Sequence, residues 1–388
     1  MFVSDLLWFL LPVAAAGGWL AARRSDRGKA SEFWDYSQHF HEELGQLLSE
    51  KEADQQLFES FTQGDRDAAE THIALGNLYR RRGEFDRAIR VHESIIERLD
   101  LDEAVRAQAH YELANDYEAA GLLDRTEEAL HVLIKADDKR LDAYDSLIQL
   151  HERQQDWQQA ITIALQCQTD TGKDLSRSVA QYYCELADIH IHAEKPVDAR
   201  RSLNLALDHW PDCARAHIQL ADMALKASRY REAISHYDTV EALEPALMPV
   251  IIEQRFDALK GAGDRDALKK FIIRIQSQRN AYSVIRTTRQ VIADLVDDAT
   301  ADRFFKDQIL KRPSLKGLRD WAHDQLALSK PGERDKVQII CNLLDQVMED
   351  KPTYRCRSCG FQGNVMHWRC PSCASWDTVS TIIGVEGE

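Results

Sequence analysis

The eight cysteines divide unevenly. Cys167, Cys184, Cys213 and Cys341 are scattered singly. Cys356, Cys359, Cys370 and Cys373 crowd into 18 residues as C-x2-C-x10-C-x2-C, within YRCRSCGFQGNVMHWRCPSCASW (354–376). Two residues between thiolates let one tight turn present both sulfurs to one ion, and two such turns close a tetrahedron. A closed tetrahedron keeps no open coordination position, so the expected ion is structural, not catalytic. Gly360 follows the first pair, where the turn calls for positive φ. Ala374 holds the equivalent place after the second pair and is expected to be slightly strained there. Tyr354, Phe361, Trp368 and Trp376 are expected to shield the ion. His367 lies near Cys370, but four thiolates already complete the ligand set.

The expected cofactor is therefore one Zn or Fe ion in a four-cysteine site. General grounds favour zinc, although a rubredoxin-like knuckle pair holds either metal. Residues 351–388 are too few to build a sufficient core, so this segment is expected to depend on its metal. Cysteine pairs of this spacing, with lone cysteines elsewhere, point to a reducing compartment.

Other reactive groupings are missing. The chain has no P-loop, no GxSxG, no HExxH and no open-site metal spacing, so no catalytic residue is assigned and no enzymatic activity is expected. His39 and His41 sit on no metal spacing. His151 and His190 fall where a helix-packing residue belongs. Arg80, Arg81, Arg82, Arg87 and Arg90 form a basic cluster. It reads either as a solvated helix end or as a docking patch for an acidic partner.

What must position these groups is mostly helical. The 388 residues include 17 Gly and only 9 Pro, too few breakers for a turn-rich β-fold. Residues 69–245 carry five copies of the tetratricopeptide pattern, a helix pair recurring about every 34 residues. The clearest copy has Leu75, Gly76, Tyr79, Gly83, Phe85 and Ala88 in order. The next has Leu113, Ala114, Tyr117, Gly121 and Leu123. Leu147, Ile148, Trp157 and Ala160 follow, then Leu186, Ala187 and Ala199, then Leu220, Ala221, Tyr230 and Ala233. Small residues let the two helices of a pair touch, and larger ones fill the gap to the next pair. Beyond residue 245 the pattern fades, although Ala267 falls where an alanine is due. Residues 31–350 have room for about nine units.

The N-terminus reads FVSDLLWFLLPVAAAGGWLAA (2–22), followed by Arg23, Arg24, Arg27 and Lys29. Asp5 precedes the apolar run and the cations follow it, which is a stop-transfer order and not that of a cleaved leader. The expected organisation is a transmembrane anchor over 1–22 and a basic linker over 23–30. The repeat array would occupy 31–350 and the metal domain 351–388, with the body in the cytoplasm. The fold class is all-α: an α-solenoid with an N-terminal transmembrane helix and a small C-terminal rubredoxin-like metal domain. Lys+Arg total 49 against 64 Asp+Glu, a formal charge of −15, which argues against binding driven by nucleic-acid phosphates.

This combination resembles the lipopolysaccharide assembly protein B family of Gram-negative bacteria. The matching stretches are the anchor with Arg23-Arg24, LGNLYRRRGEFDRAIRVHESII (75–96), RPSLKGL (312–318), and YRCRSCGF with WRCPSCASW. The resemblance implies a non-enzymatic inner-membrane adaptor that limits lipopolysaccharide output. Its implied partners are the membrane AAA protease FtsH, the lipid A deacetylase that the protease degrades, and lipopolysaccharide assembly proteins. It also implies that the metal domain packs against the repeats. The residues alone leave two alternatives: an electron-transfer protein with iron in the thiolate site, and a general chaperone-type adaptor that binds peptide tails.

Overall fold

The computed structural model describes residues 66–388 apart from positions 138, 279, 350, 386 and 388. The anchor, the basic linker, the start of the array and His39 with His41 lie outside the described residues. Among the described residues, no helix is long and apolar enough to cross a membrane. The chain divides into a unit ending at Ala129 and a unit over Leu130–Glu388.

The first unit holds α1 (Arg66–Arg81), α2 (Phe85–Ile96), α3 (Glu103–Ala119) and the start of α4 (Leu123–Ala136). Its core gathers Ala69, Tyr79, Ala88, Val91, Ile95 and Ala109. Gly76 is the contact point of α1 and α2, since a Cβ there would lie 2.4 Å from the His92 ring. His92 is fully buried, with Nδ1 2.5 Å from Asp116 Oδ2.

The second unit continues with α5 (Leu141–Gln154), α6 (Trp157–Thr171), α7 (Ser176–His192), α8 (Pro196–His209), α9 (Ala214–Lys226) and α10 (Tyr230–Leu243). A short 3-10 turn at Pro245–Leu247 leads into α11 (Met248–Gly261), α12 (Arg265–Ser277), α13 (Tyr282–Leu295), α14 (Asp298–Lys311), α15 (Leu315–Leu328) and α16 (Pro331–Met348). Each helix buries a stripe of Ala, Leu, Ile and aromatic residues against its neighbours, because no pair can bury its apolar face alone. Phe256, Phe271, Val284, Ile292 and Phe305 carry this core into the region where the repeat pattern fades.

The repeat period is written in the backbone. Gly83, Gly121, Gln155, Glu194, Ser228 and Gly263 all take positive φ, between 56° and 79°, in the turns between paired helices. The second helix of each pair starts two residues later. Five residues after each turn comes a buried residue: Ala88, Thr126, Ala160, Ala199, Ala233 and Leu268. The last of these corrects the register expected from sequence. Leu268 fills the repeat position, and Ala267 beside it is only partly buried. The spacing there has grown from 34 to 35 residues between the turns at Ser228 and Gly263.

These turns give a first prediction. Left-handed backbone costs a residue with a Cβ about 1–2 kcal/mol, part of which glycine gives back in chain entropy. Ser228→Gly and Glu194→Gly are each expected to stabilise the protein by about 0.5 kcal/mol, and Gly121→Ala to destabilise it by about 1 kcal/mol. Denaturant midpoints would show opposite signs for the two kinds of change.

The C-terminal segment forms the antiparallel strands β1 (Tyr354–Cys356), β2 (Gln362–Gly363) and β3 (Val379–Thr381), in the order β2-β1-β3. Tyr354 pairs with Gly363 on one side and Thr381 on the other, and Cys356 pairs with Val379.

Candidate metal centre

β1 delivers Cys356 into a turn that carries Cys359. Within it the Gly360 amide donates to the Cys356 carbonyl at 3.0 Å, and the Cys356 amide to the Phe361 carbonyl at 2.8 Å. The second turn repeats this pattern. The Ala374 amide donates to the Cys370 carbonyl at 2.9 Å, and the Cys370 amide to the Ser375 carbonyl at 2.9 Å. Gly360 has φ +79° and Ala374 φ +56°, so both turns close through left-handed backbone, with a Cβ only in the second.

All four sulfurs lie within 4.8 Å of one another. Cys356 and Cys373 are 3.8 Å apart, and Cys359 and Cys370 3.6 Å. A tetrahedron with metal–sulfur bonds of about 2.3 Å has edges of about 3.8 Å, so the donor set fits one ion of this kind. The Thr378 hydroxyl, 3.2 Å from Cys356 Sγ, draws that thiol down to about 6. Burial pushes Cys370 up to about 11. The ligands are not equally enclosed: Cys356 and Cys370 are buried, while Cys359 is exposed.

Tyr354, Phe361 and Met366 pack around the buried cysteines, as a shield should. Trp368 and Trp376 do something else. Trp376 sits in T-shaped contact with Trp157 of α6 and Tyr182 of α7, with centroids 6.0 Å apart in each case. Trp368 packs on the α9–α11 core and faces the Arg215 guanidinium at 5.8 Å. The shielding expected of these two tryptophans is therefore corrected: they fasten the metal domain to the helices.

One buried carboxylate organises that attachment. Glu152, at the end of α5, is only 7% exposed. Its Oε1 accepts from the Tyr182 hydroxyl at 2.7 Å and the Trp376 indole at 3.0 Å, and its Oε2 from Arg369 at 2.8 Å. Burial and the Glu152 charge push the Tyr182 phenol upward, so it stays a donor. Beside it, Gln181 Nε2 donates to the Asp377 carboxylate at 2.8 Å. Farther along, the Leu315 amide donates to the Val385 carbonyl at 2.7 Å.

Asp377 makes this attachment pH-dependent. Burial pushes its carboxyl up to about 6, against about 3.9 in an unfolded chain. A raised folded-state value means stability that is full below the unfolded value and lost as pH rises through about 6. Asp377→Asn, which suits φ +54° and can still accept from Gln181, is expected to remove the slope between pH 4 and 6 and to raise stability at pH 7.5. Melting temperatures across that range would test it.

The structure places the other sequence-selected residues apart from this site. Arg80 donates to Glu112 and Asp116, both at 2.7 Å, as part of the network around His92. Arg87 donates to Glu84 at 2.6 Å and lies over the Tyr79 ring, and Arg82 pairs with Glu84 at 3.2 Å. Arg81 and Arg90 are exposed. His151 is buried and His190 half-buried, both on helices, and His367 stands edge-on to Phe361. The cysteines that look single in sequence include a touching pair, Cys184 and Cys213, buried with sulfurs 3.9 Å apart. Glu152, Gln181 and Arg215 are the functional residues that sequence reasoning missed. Their one trace is a charged or amide group in an otherwise apolar helix phase.

With this geometry in place, comparison with known proteins agrees with it. The family profile described as a rubredoxin metal binding domain matches residues 354–380. Tetratricopeptide repeat profiles match residues 71–107 and 184–246. Lipopolysaccharide assembly protein B of Escherichia coli (strain K12) is 29% identical over 387 residues, covering 99% of both chains. The protein of the same name from Haemophilus influenzae (strain ATCC 51907 / DSM 11121 / KW20 / Rd) is 26% identical over 393 residues, covering 98% of this chain and 99% of its own. The resemblance to lipopolysaccharide assembly protein B thus runs from end to end, through repeats and metal domain alike.

Proposed function

We propose that the chain is a non-enzymatic adaptor of the inner membrane that limits lipopolysaccharide synthesis by bringing the lipid A-committing deacetylase to the membrane AAA protease FtsH. The observation that carries this reading is the end-to-end likeness to lipopolysaccharide assembly protein B. Residues 1–22 supply the membrane anchor, and tethering raises the effective concentration of a client at a membrane machine without new contacts. The helix pairs supply surface, and one metal ion in the Cys356, Cys359, Cys370 and Cys373 site holds the small domain in the form that docks on α5, α7 and α9. Arg81 and Arg90, with Arg82, remain the basic surface for an acidic partner, whereas Arg80 and Arg87 serve internal ion pairs. The test is the half-life of the deacetylase in cells depleted of this protein. It should lengthen and the enzyme should accumulate; an unchanged half-life overturns the reading.

The exposure of Cys359 favours one second reading. A solvent-facing thiolate gives electrons a path to an iron ion, as an electron carrier needs. Metal analysis of protein purified without added metal, with its visible spectrum, separates this from a zinc-stapled adaptor.

A further inference from the structure

Four cysteines stand outside the metal centre, and two of them touch. Cys184 on α7 and Cys213, 29 residues later, have sulfurs 3.9 Å apart, and both side chains are fully buried. The gap to a disulfide bond of about 2.05 Å is therefore under about 2 Å. Ala180, Ala187, Leu203, Ala206 and Leu220 close round the pair in the core of α7, α8 and α9.

The two thiols are not equivalent. Cys213 is the N-cap of α9, where unpaired backbone N–H groups favour an anion. The hydrogen bond with Cys184 draws the Cys213 thiol down, and the Ala216 amide adds to this. Burial pushes Cys184 well up, so it stays protonated. The Arg215 guanidinium favours the thiolate form of both, opposed by the charge of Asp377 at Cys213 and of Asp188 at Cys184. One nucleophilic sulfur thus faces one protonated sulfur, the division of labour of a redox dithiol.

The metal domain lies over this pair. Gln181 Nε2 is 3.9 Å from Cys213 Sγ and donates to the Asp377 carboxylate at 2.8 Å, so one amide separates the sulfur from the docked surface. Arg215, two residues after Cys213, is 3% exposed and stands under Trp368 and Trp376, whose centroids lie 5.8 and 6.0 Å from its guanidinium carbon. A reagent reaching Cys213 from this side meets the docked domain first.

We propose that Cys184 and Cys213 are a redox modification site, closed to a disulfide by a low-molecular-weight disulfide when the metal domain leaves its dock. The Cys213 thiolate attacks one sulfur of the small disulfide, whose S–S bond breaks as its first thiolate leaves. Cys184 gives its proton to that thiolate. Its sulfur then attacks Cys213 Sγ and expels the second thiolate, which takes a proton from water. Two protein thiols are oxidised and one small disulfide is reduced to two thiols. Docked, the pair stays reduced; undocked, it records the loss of the domain.

The probe is glutathione disulfide, added to the full-length detergent-solubilised protein with its metal bound. Samples are alkylated over time and mapped by mass spectrometry without reduction. Glu152→Ala, which removes the carboxylate that fastens the metal domain, should form the 184–213 cross-link at least about tenfold faster than wild type. Cys213→Ala in that background should leave Cys184 unmodified, whereas Cys184→Ala should trap Cys213 as a mixed disulfide with glutathione. Amide exchange over residues 354–381 reports whether Glu152→Ala is undocked; if it stays docked, Cys370→Ser takes its place. Overturning results are no 184–213 cross-link in the undocked protein, a cross-link seen only in denaturant, or equal rates in docked and undocked protein. Modification of Cys167 as fast as Cys213 would also overturn the proposal, since the helices would then be opening as a whole.

Discussion

Glu152→Ala is expected to release the metal domain from the helices. The carboxylate takes three donors from two elements: Tyr182 on α7, and Arg369 and Trp376 on the metal domain. Removing it leaves a guanidinium, a phenol and an indole N–H without their acceptor beneath a docked surface. Breaking a buried pair by deleting one partner costs about 3–5 kcal/mol, because the remaining charge stays desolvated. Undocking returns all three donors to water, which makes it the cheaper outcome. Amide exchange over residues 354–381 should quicken by orders of magnitude, while the helices far from the interface keep their protection. Glu152→Gln should fall between, since its amide offers one acceptor and turns a new donor toward Arg369. A double-mutant cycle with Arg369→Ala isolates the pair. Wild-type exchange in Glu152→Ala would mean that the two tryptophans and the Gln181–Asp377 bond hold the domain without it.

The same residues show which parts of the molecule can be read from sequence. The metal centre is legible because its whole specification is local: ligand spacing and a turn residue after each pair, all within 19 residues. The helix pairs are legible where Leu75, Gly76 and Tyr79 or their equivalents recur. They fade at α11, where Arg255, Phe256 and Leu259 take those places relative to the turn at Gly263. Arg255 is 3% exposed at its side chain and paired with Asp238 and Glu241, a substitution of an ion pair for apolar packing that no periodicity reveals. The slip from Ala267 to Leu268 has a different cause, one residue added between the turns at Ser228 and Gly263.

The docking surface is the part that stays hidden. Glu152 meets Arg369 across 217 positions and Gln181 meets Asp377 across 196. A charged residue at a helix end reads as solvated until its partner is known. Trp368 and Trp376 were open to the same misreading, because a tryptophan beside a cysteine pair is equally apt to cover the metal or to reach a neighbour. The basic cluster at 80–90 shows the reverse case. It looks like one surface, but Arg80 reaches into a buried network with Asp116 and His92 while Arg81 faces solvent.

Cys370→Ser should have the largest effect of any single change in the metal domain. The three short strands and the few buried residues, Cys356, Cys370 and Val379, make a core far too small to hold itself together. Structural zinc in such peptides contributes about 10–16 kcal/mol at neutral pH, so the ion supplies most of the folding free energy. Three thiolates with a hydroxyl leave an open position and a weaker site. Metal content should fall well below one ion per chain, and residues 354–381 should exchange as an unfolded segment. Cys359→Ser should act in the same direction but less severely, since that ligand is exposed and water can take its place. Helical circular dichroism should persist in both, because each helix pair is held by its neighbours and not by the metal. Losing the docked domain also uncovers Trp157 and Tyr182, against which Trp376 packs. A variant that keeps one ion per chain and wild-type exchange protection would show that the thiolates are not what folds this domain.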